Sequence, residues 1–132
     1  MELTMLDALP SGLLNAQPCD LHSILTGPTL IQLSGRSPEP LFASVLLHGN
    51  EDTGLKAVQA VLQKYTGREL PRAFSLLIGN IAAARAGVRR LENQVDYNRV
   101  WPGADDTTHP ESAIMARVVE EMKVRKVFAS ID

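Results

Sequence analysis

The chain has 132 residues, 45% of them hydrophobic and 21% charged, which suits one small domain with a real core. Its formal net charge of −2, spread over mixed signs, disfavours nucleic acid and acidic membrane surfaces as partners. A single cysteine, Cys19, excludes an internal disulfide, and no apolar run is long enough to span a membrane.

The first residues, Met1 to Asp7, lack the basic start and apolar stretch of a signal peptide, so the cytoplasm is the expected compartment. Residues 1–28 alternate short apolar pieces with Pro10, Gly12, Pro18, Gly27 and Pro28 and read as an irregular or partly helical N-terminal lead-in. Thr29 to Leu33 reads as a strand, ended by the turn residues Ser34-Gly35-Arg36-Ser37-Pro38. Leu41 to Leu47 is nearly all apolar, the pattern of a strand buried on both faces of a sheet. From Asp52 to Tyr65 the residues Leu55, Val58, Val61, Leu62 and Tyr65 recur at helical spacing. Gly67 closes that helix where a left-handed residue is expected.

Phe74 to Ile78 is a third strand, running into Gly79-Asn80, and Ala82 to Val88 holds a helical turn or two. A polar stretch then extends to Pro102-Gly103-Ala104-Asp105-Asp106. Thr108-His109-Pro110-Glu111 has the capping-box spacing, with Pro inside the first turn. The helix it opens keeps Ile114, Met115, Val118, Val119 and Met122 on one side. Lys126 to Asp132 reads as a buried strand, and a chain that stops on such a strand reads as a fragment. Alternating strands and helices imply an α/β sheet with parallel pairs. In such sheets ligands bind beyond the carboxyl ends of the strands, which sets His48, Asn80 and whatever follows Ile131 along one rim.

Two segments carry residue types suited to hydrolytic chemistry. His48-Gly49-Asn50-Glu51 leaves a strand and enters a helix. An imidazole and a carboxylate three residues apart reach one ion if the backbone turns sharply, and Gly49 allows such a turn. That pair is a partial donor set for zinc, which takes three protein ligands and a water in hydrolytic sites. Asp96-Tyr97-Asn98-Arg99 offers a carboxylate to steady a ligating histidine, then an amide and a guanidinium fork for a substrate carboxylate. Arg85, Arg89 and Arg90 precede it, and an arginine can stabilise an oxyanion. Each segment taken alone has a plain structural reading: a strand end, a helix's first turn, a turn, a solvated face. His22 and His109 read more readily as surface residues than as metal ligands.

Taken together, His48-Gly49-Asn50-Glu51-Asp52-Thr53-Gly54, Gly79-Asn80, Arg89 and Asp96-Tyr97-Asn98-Arg99-Val100-Trp101-Pro102-Gly103 resemble the zinc carboxypeptidase superfamily. Within it they are most similar to the succinylglutamate desuccinylase and aspartoacylase branch. The resemblance covers residues 29–132, the N-terminal part of a zinc hydrolase catalytic domain. It implies a three-layer sandwich around a central mixed, largely parallel sheet, here truncated. It also implies one zinc ion, with His48 and Glu51 as its first two ligands and Asp96 orienting His48. Arg89 would polarise the scissile carbonyl, while Asn98 and Arg99, with Arg90 and Asn80, would bind substrate. Arg89 matches the family when counted from Asn80, and Arg90 when counted back from Asn98; Arg89 is preferred. Ile81 and Trp101 replace the family's usual Pro and Phe.

The family takes its third zinc ligand from a histidine two residues beyond the Asp that corresponds to Asp132, and its catalytic glutamate lies farther on. The chain is therefore expected to be inactive by itself. The implied reaction is hydrolysis of the amide bond of an N-acyl amino acid by metal-activated water. The alternatives are a zinc carboxypeptidase acting on a peptide C-terminus and, from another class, a non-catalytic ligand-binding relative. Nucleic acid and membrane are not expected partners, and an open sheet edge offers a place for pairing with a second copy.

Overall fold

The computed structural model describes residues 1–105 and 107–132, so Asp106 of the polar stretch lies outside the described residues. Five strands form one sheet: β1 (Thr4–Leu6), β2 (Thr29–Leu33), β3 (Gly35–Val45), β4 (Leu70–Ile78) and β5 (Ala129–Ile131), in the spatial order β1-β2-β4-β3-β5. Only β2 and β4 run antiparallel, with Leu30 opposite Leu77; β1 on β2, β3 on β4 and β3 on β5 are parallel. The helices are α1 (Thr53–Gln63), α2 (Ile81–Ala86) and α3 (Pro110–Val124). Three short 3-10 segments, Leu13–Asn15, Pro18–Ser23 and Tyr97–Arg99, complete the elements.

Alternation along the strands divides the core into two layers, because successive side chains in a strand face opposite ways. Ile31, Ala43, Leu76 and Ile78 join Leu55 and Leu62 of α1, Ile81 and Ala84 of α2, and Leu13 and Leu21 of the lead-in. Leu30, Phe42 and Leu77 pack on the other face with Tyr97, Val100 and the α3 residues Ile114, Met115 and Val118. The result is helix, sheet, helix, an α/β sandwich with a mixed, mostly parallel sheet.

Four local expectations are corrected. Gly35 to Pro38 lie within β3 rather than forming a turn, paired to Leu70–Arg72 with the register broken between Ser37 and Leu41. The break absorbs Pro38 and Pro40, which cannot donate to a ladder. The lead-in is less irregular than its Pro and Gly content implies. It contributes β1 to the sheet edge, and Leu13, Leu21 and Leu25 are fully buried. The N-cap of α3 is His109, with Pro110 at its first position, so Thr108 sits one residue too early for a capping box. Lastly, β5 is exposed along its length, with Phe128 and Ile131 open to solvent. It pairs only with β3, at the sheet edge, and among the described residues no helix covers it.

Candidate active site

The parallel strands β3 and β4 end side by side, Val45 opposite Ile78, while Ile131 of β5 lies opposite Ala43. His48, Asn80 and Asp132 thus emerge at the same rim. Leu46 interrupts β3 with a left-handed backbone, φ 52, a conformation that costs a non-glycine residue roughly 1–2 kcal/mol. The strain is held by neighbours: Gly79 N–H donates to Val45 O at 3.0 Å and Asn80 N–H to Leu46 O at 2.7 Å. The chain then turns on itself, with Glu51 N–H donating to His48 O at 3.1 Å. That turn brings the two side chains of His48-Gly49-Asn50-Glu51 together.

Both nitrogens of His48 are engaged. Nδ1 lies 2.9 Å from Glu51 Oε2, and Nε2 lies 2.9 Å from Asp96 Oδ1. Carboxylates only accept hydrogen bonds, so satisfying both at once requires the imidazolium. Burial pulls the His48 pKa down, but the bonds to Glu51 and Asp96 outweigh it and the net shift is upward. Glu51 is held below its ordinary value, first by the His48 hydrogen bond, helped by Arg89. Burial works to raise Asp96, yet His48, the Asn98 amide and Arg89 bring it down. Asp96 Oδ1 also accepts from Asn98 N–H at 2.9 Å, capping the Tyr97–Arg99 turn. Tyr97 anchors that turn in the core, and burial raises its pKa.

Arg89 and Arg90 go different ways. Arg89 Nη1 donates to Glu51 Oε1 at 2.8 Å, and its Nη2 lies 3.6 Å from Asp96 Oδ2. Arg90 Nη1 instead donates to the backbone carbonyl of Gln94 at 2.8 Å. Gly49 laces the two loops together, donating its N–H to Arg89 O at 3.0 Å. Its need for glycine is steric rather than conformational, contrary to expectation: a Cβ there would fall 2.2 Å from the Ala83 carbonyl carbon, and its φ is not positive.

Of the substrate-binding candidates, Asn98 is half-buried and accepts from Trp101 Nε1 at 3.5 Å, while Arg99 is exposed. Asn80 is fully buried. Its Oδ1 accepts from Ala83 N–H at 3.1 Å and its Nδ2 donates to Gln94 Oε1 at 2.9 Å. Its side chain is thus committed inside the fold. Gln94 was not singled out by sequence, yet its Oε1 takes both Asn80 and the Leu91 amide, at 2.9 Å each. A glutamine in a polar stretch carries no local signal for such a role. Ser44 is a second unmarked residue, donating to Asp132 Oδ1 at 2.6 Å. His22 lies apart, with Nδ1 on Cys19 O at 2.8 Å, and His109 starts α3.

A nitrogen and a carboxylate oxygen converging from His48 and Glu51, with a second carboxylate behind the imidazole, form a fitting partial donor set for zinc. Among the described residues no group of three His, Cys, Asp or Glu side chains is placed to hold a metal. The pair therefore supplies two donors of the three expected.

Residues 42–130 match the family model of the succinylglutamate desuccinylase/aspartoacylase catalytic domain. The fold matches a crystal structure of the succinylglutamate desuccinylase from Chromobacterium violaceum, with TM-score 0.55 and 27% identity. That alignment covers 71% of this chain and 32% of the other, so the chain spans about a third of the protein it matches. No curated protein matches it.

Proposed function

This chain belongs to the succinylglutamate desuccinylase/aspartoacylase catalytic-domain family, and on that basis we propose that it forms part of a zinc-dependent hydrolase cleaving the amide bond of an N-acyl amino acid. The observation that carries the reading is the two-sided engagement of His48, Glu51 on Nδ1 and Asp96 on Nε2. His48 Nδ1 and Glu51 would hold the metal, once the proton between them is lost. Zinc bound there would lower the pKa of a coordinated water and polarise the amide carbonyl.

The chain's own residues do the rest of what this rim provides. Asp96 keeps the Nε2 proton of His48 and so fixes which nitrogen faces Glu51. Arg89, with its guanidinium on the Glu51 side, stabilises the charge that develops on the carbonyl oxygen. Arg99 is free at the rim to grip the substrate carboxylate as a bidentate fork, with Asn98 beside it. Arg90 and Asn80 act indirectly, by holding Gln94 and hence the loop that carries Arg89 and Asp96. Among the described residues the pair supplies two donors of the three expected, so the activity is proposed for the complete catalytic domain.

The test is the zinc content of this chain and of a form extended through the rest of the family's domain. About one zinc per extended chain, lost on His48→Ala or Glu51→Ala, together with hydrolysis of acyl-amino acids, is the expected result. An extended form that binds no zinc with both residues intact would sink the proposal and favour a non-catalytic binding relative. Preferential release of C-terminal residues from peptides would favour the carboxypeptidase alternative.

A further inference from the structure

The loop between α2 and the Tyr97–Arg99 turn has two sides. Arg89 leaves it toward Glu51 and Asp96. Leu91 and Gln94 instead line a separate, solvent-open cavity of about 480 Å³, bordered by α2 and by residues of the lead-in. Leu25, Pro28 and Ile81 give that cavity apolar walls, and no carboxylate lines it.

Arg85 and Gln94 in its lining each hold side-chain donors with no partner among the described residues. Arg85, in the last turn of α2, makes no ion pair or hydrogen bond there. Gln94 uses its Oε1 for Asn80 and Leu91, which leaves its Nε2 amide hydrogens without a protein acceptor. A guanidinium and a primary amide in an apolar-walled cavity free of acidic groups match a carboxylate with a short carbon skeleton.

We infer that this cavity binds a small carboxylic acid, its carboxylate held by Arg85 and Gln94 and its carbons set against Leu25, Pro28 and Ile81. None of His48, Glu51, Arg89, Asp96 and Arg99 lines the cavity, and binding there needs no metal. Gln94 also accepts Arg90 on its backbone carbonyl, so an occupant steadies the same loop that positions Arg89 and Asp96.

The test is an isotope-edited NMR titration of the 132-residue chain with succinate in the presence of EDTA, repeated with inorganic phosphate. Saturable shifts of the Leu91 amide, the Gln94 side-chain amide and Arg85 Nε are expected. Arg85→Gln should weaken binding by about tenfold or more, the worth of a hydrogen bond to a charged group. Arg85→Lys should retain part of the binding and show that changes at this position leave the chain folded. Absence of saturation, or equal affinity in Arg85→Gln, would overturn the inference. So would shifts centred on His48, Glu51 and Arg99, which would place the acid at the rim, or phosphate saturating below succinate. Because EDTA removes metal throughout, failure of the zinc proposal does not alter this readout.

Discussion

Asp96 binds the nitrogen of His48 that faces away from Glu51, Oδ1 to Nε2 at 2.9 Å, although the two residues stand 48 positions apart. The contact sets the ring's orientation and therefore what Nδ1 can do. Asp96→Asn should leave the fold intact and weaken zinc binding by the complete domain about 10–100-fold, the usual effect of removing a ligating histidine's carboxylate partner. Chelator competition measures this, and unchanged affinity would remove Asp96 from the role.

The same cluster makes the metal-free chain's stability depend on pH from both sides. Asp96 and Glu51 are lowered from 3.8 and 4.5, so their contribution is present above those values and is lost as pH falls through the depressed ones. His48 is raised from 6.5, so its contribution is complete below that value and is lost as pH rises through the elevated one. Urea midpoints in EDTA should therefore peak between about pH 4.5 and 6.5 as far as this cluster is concerned. His48→Gln should flatten the decline on the alkaline side. A wild-type midpoint that rises from pH 6 to 8 would contradict the assignment.

Gly49→Ala should be severe for a residue outside any helix or strand. The added Cβ meets the Ala83 carbonyl carbon at 2.2 Å and Ala84 N at 2.3 Å, backbone atoms that cannot rotate away. A loss of about 1–3 kcal/mol or more is expected from such overpacking. Because Gly49 also binds Arg89 O, amide exchange of the Arg89 loop should quicken in the variant. Equal stability by urea titration would show that α2 shifts freely.

Asn80→Ala separates a positioning role from direct substrate contact. It removes the cap on the Ala83 amide and strands one hydrogen bond of Gln94, at a cost of about 1–3 kcal/mol. Thermal unfolding should register this in the chain without any substrate. Full stability combined with a raised KM in the complete domain would return Asn80 to the binding surface.

The strand Thr29–Leu33, the C-terminal halves of β3 and β4 and the helix α1 were legible because continuous apolar runs and helical spacing are local patterns. The order and spacing of the His48, Asn80, Arg89 and Asp96 segments carried the family resemblance for the same reason. Other features depended on partners distant in sequence. Leu13, Leu21 and Leu25 lie among prolines and glycines, and only α1 and α2 packing over them makes a core of that segment. Phe128 and Ile131 have the composition of a buried strand, yet burial needs a covering layer, which these residues lack at the sheet edge. Which of two adjacent arginines faces the rim could not be counted from spacing, since neighbouring side chains in a loop point wherever local backbone sends them. The carbonyl of Gln94 claims Arg90, and Glu51 claims Arg89.

Sequence by itself thus determined the class of fold, the family and the chemical kinds of residue at the rim, all of which rest on short-range order along the chain. Tertiary structure alone decided which nitrogen of His48 meets which carboxylate, why position 49 must be glycine, and that Gln94 ties two loops together. Those facts arise where strands β3 and β4 end side by side and bring segments about 30 to 50 residues apart within hydrogen-bonding distance.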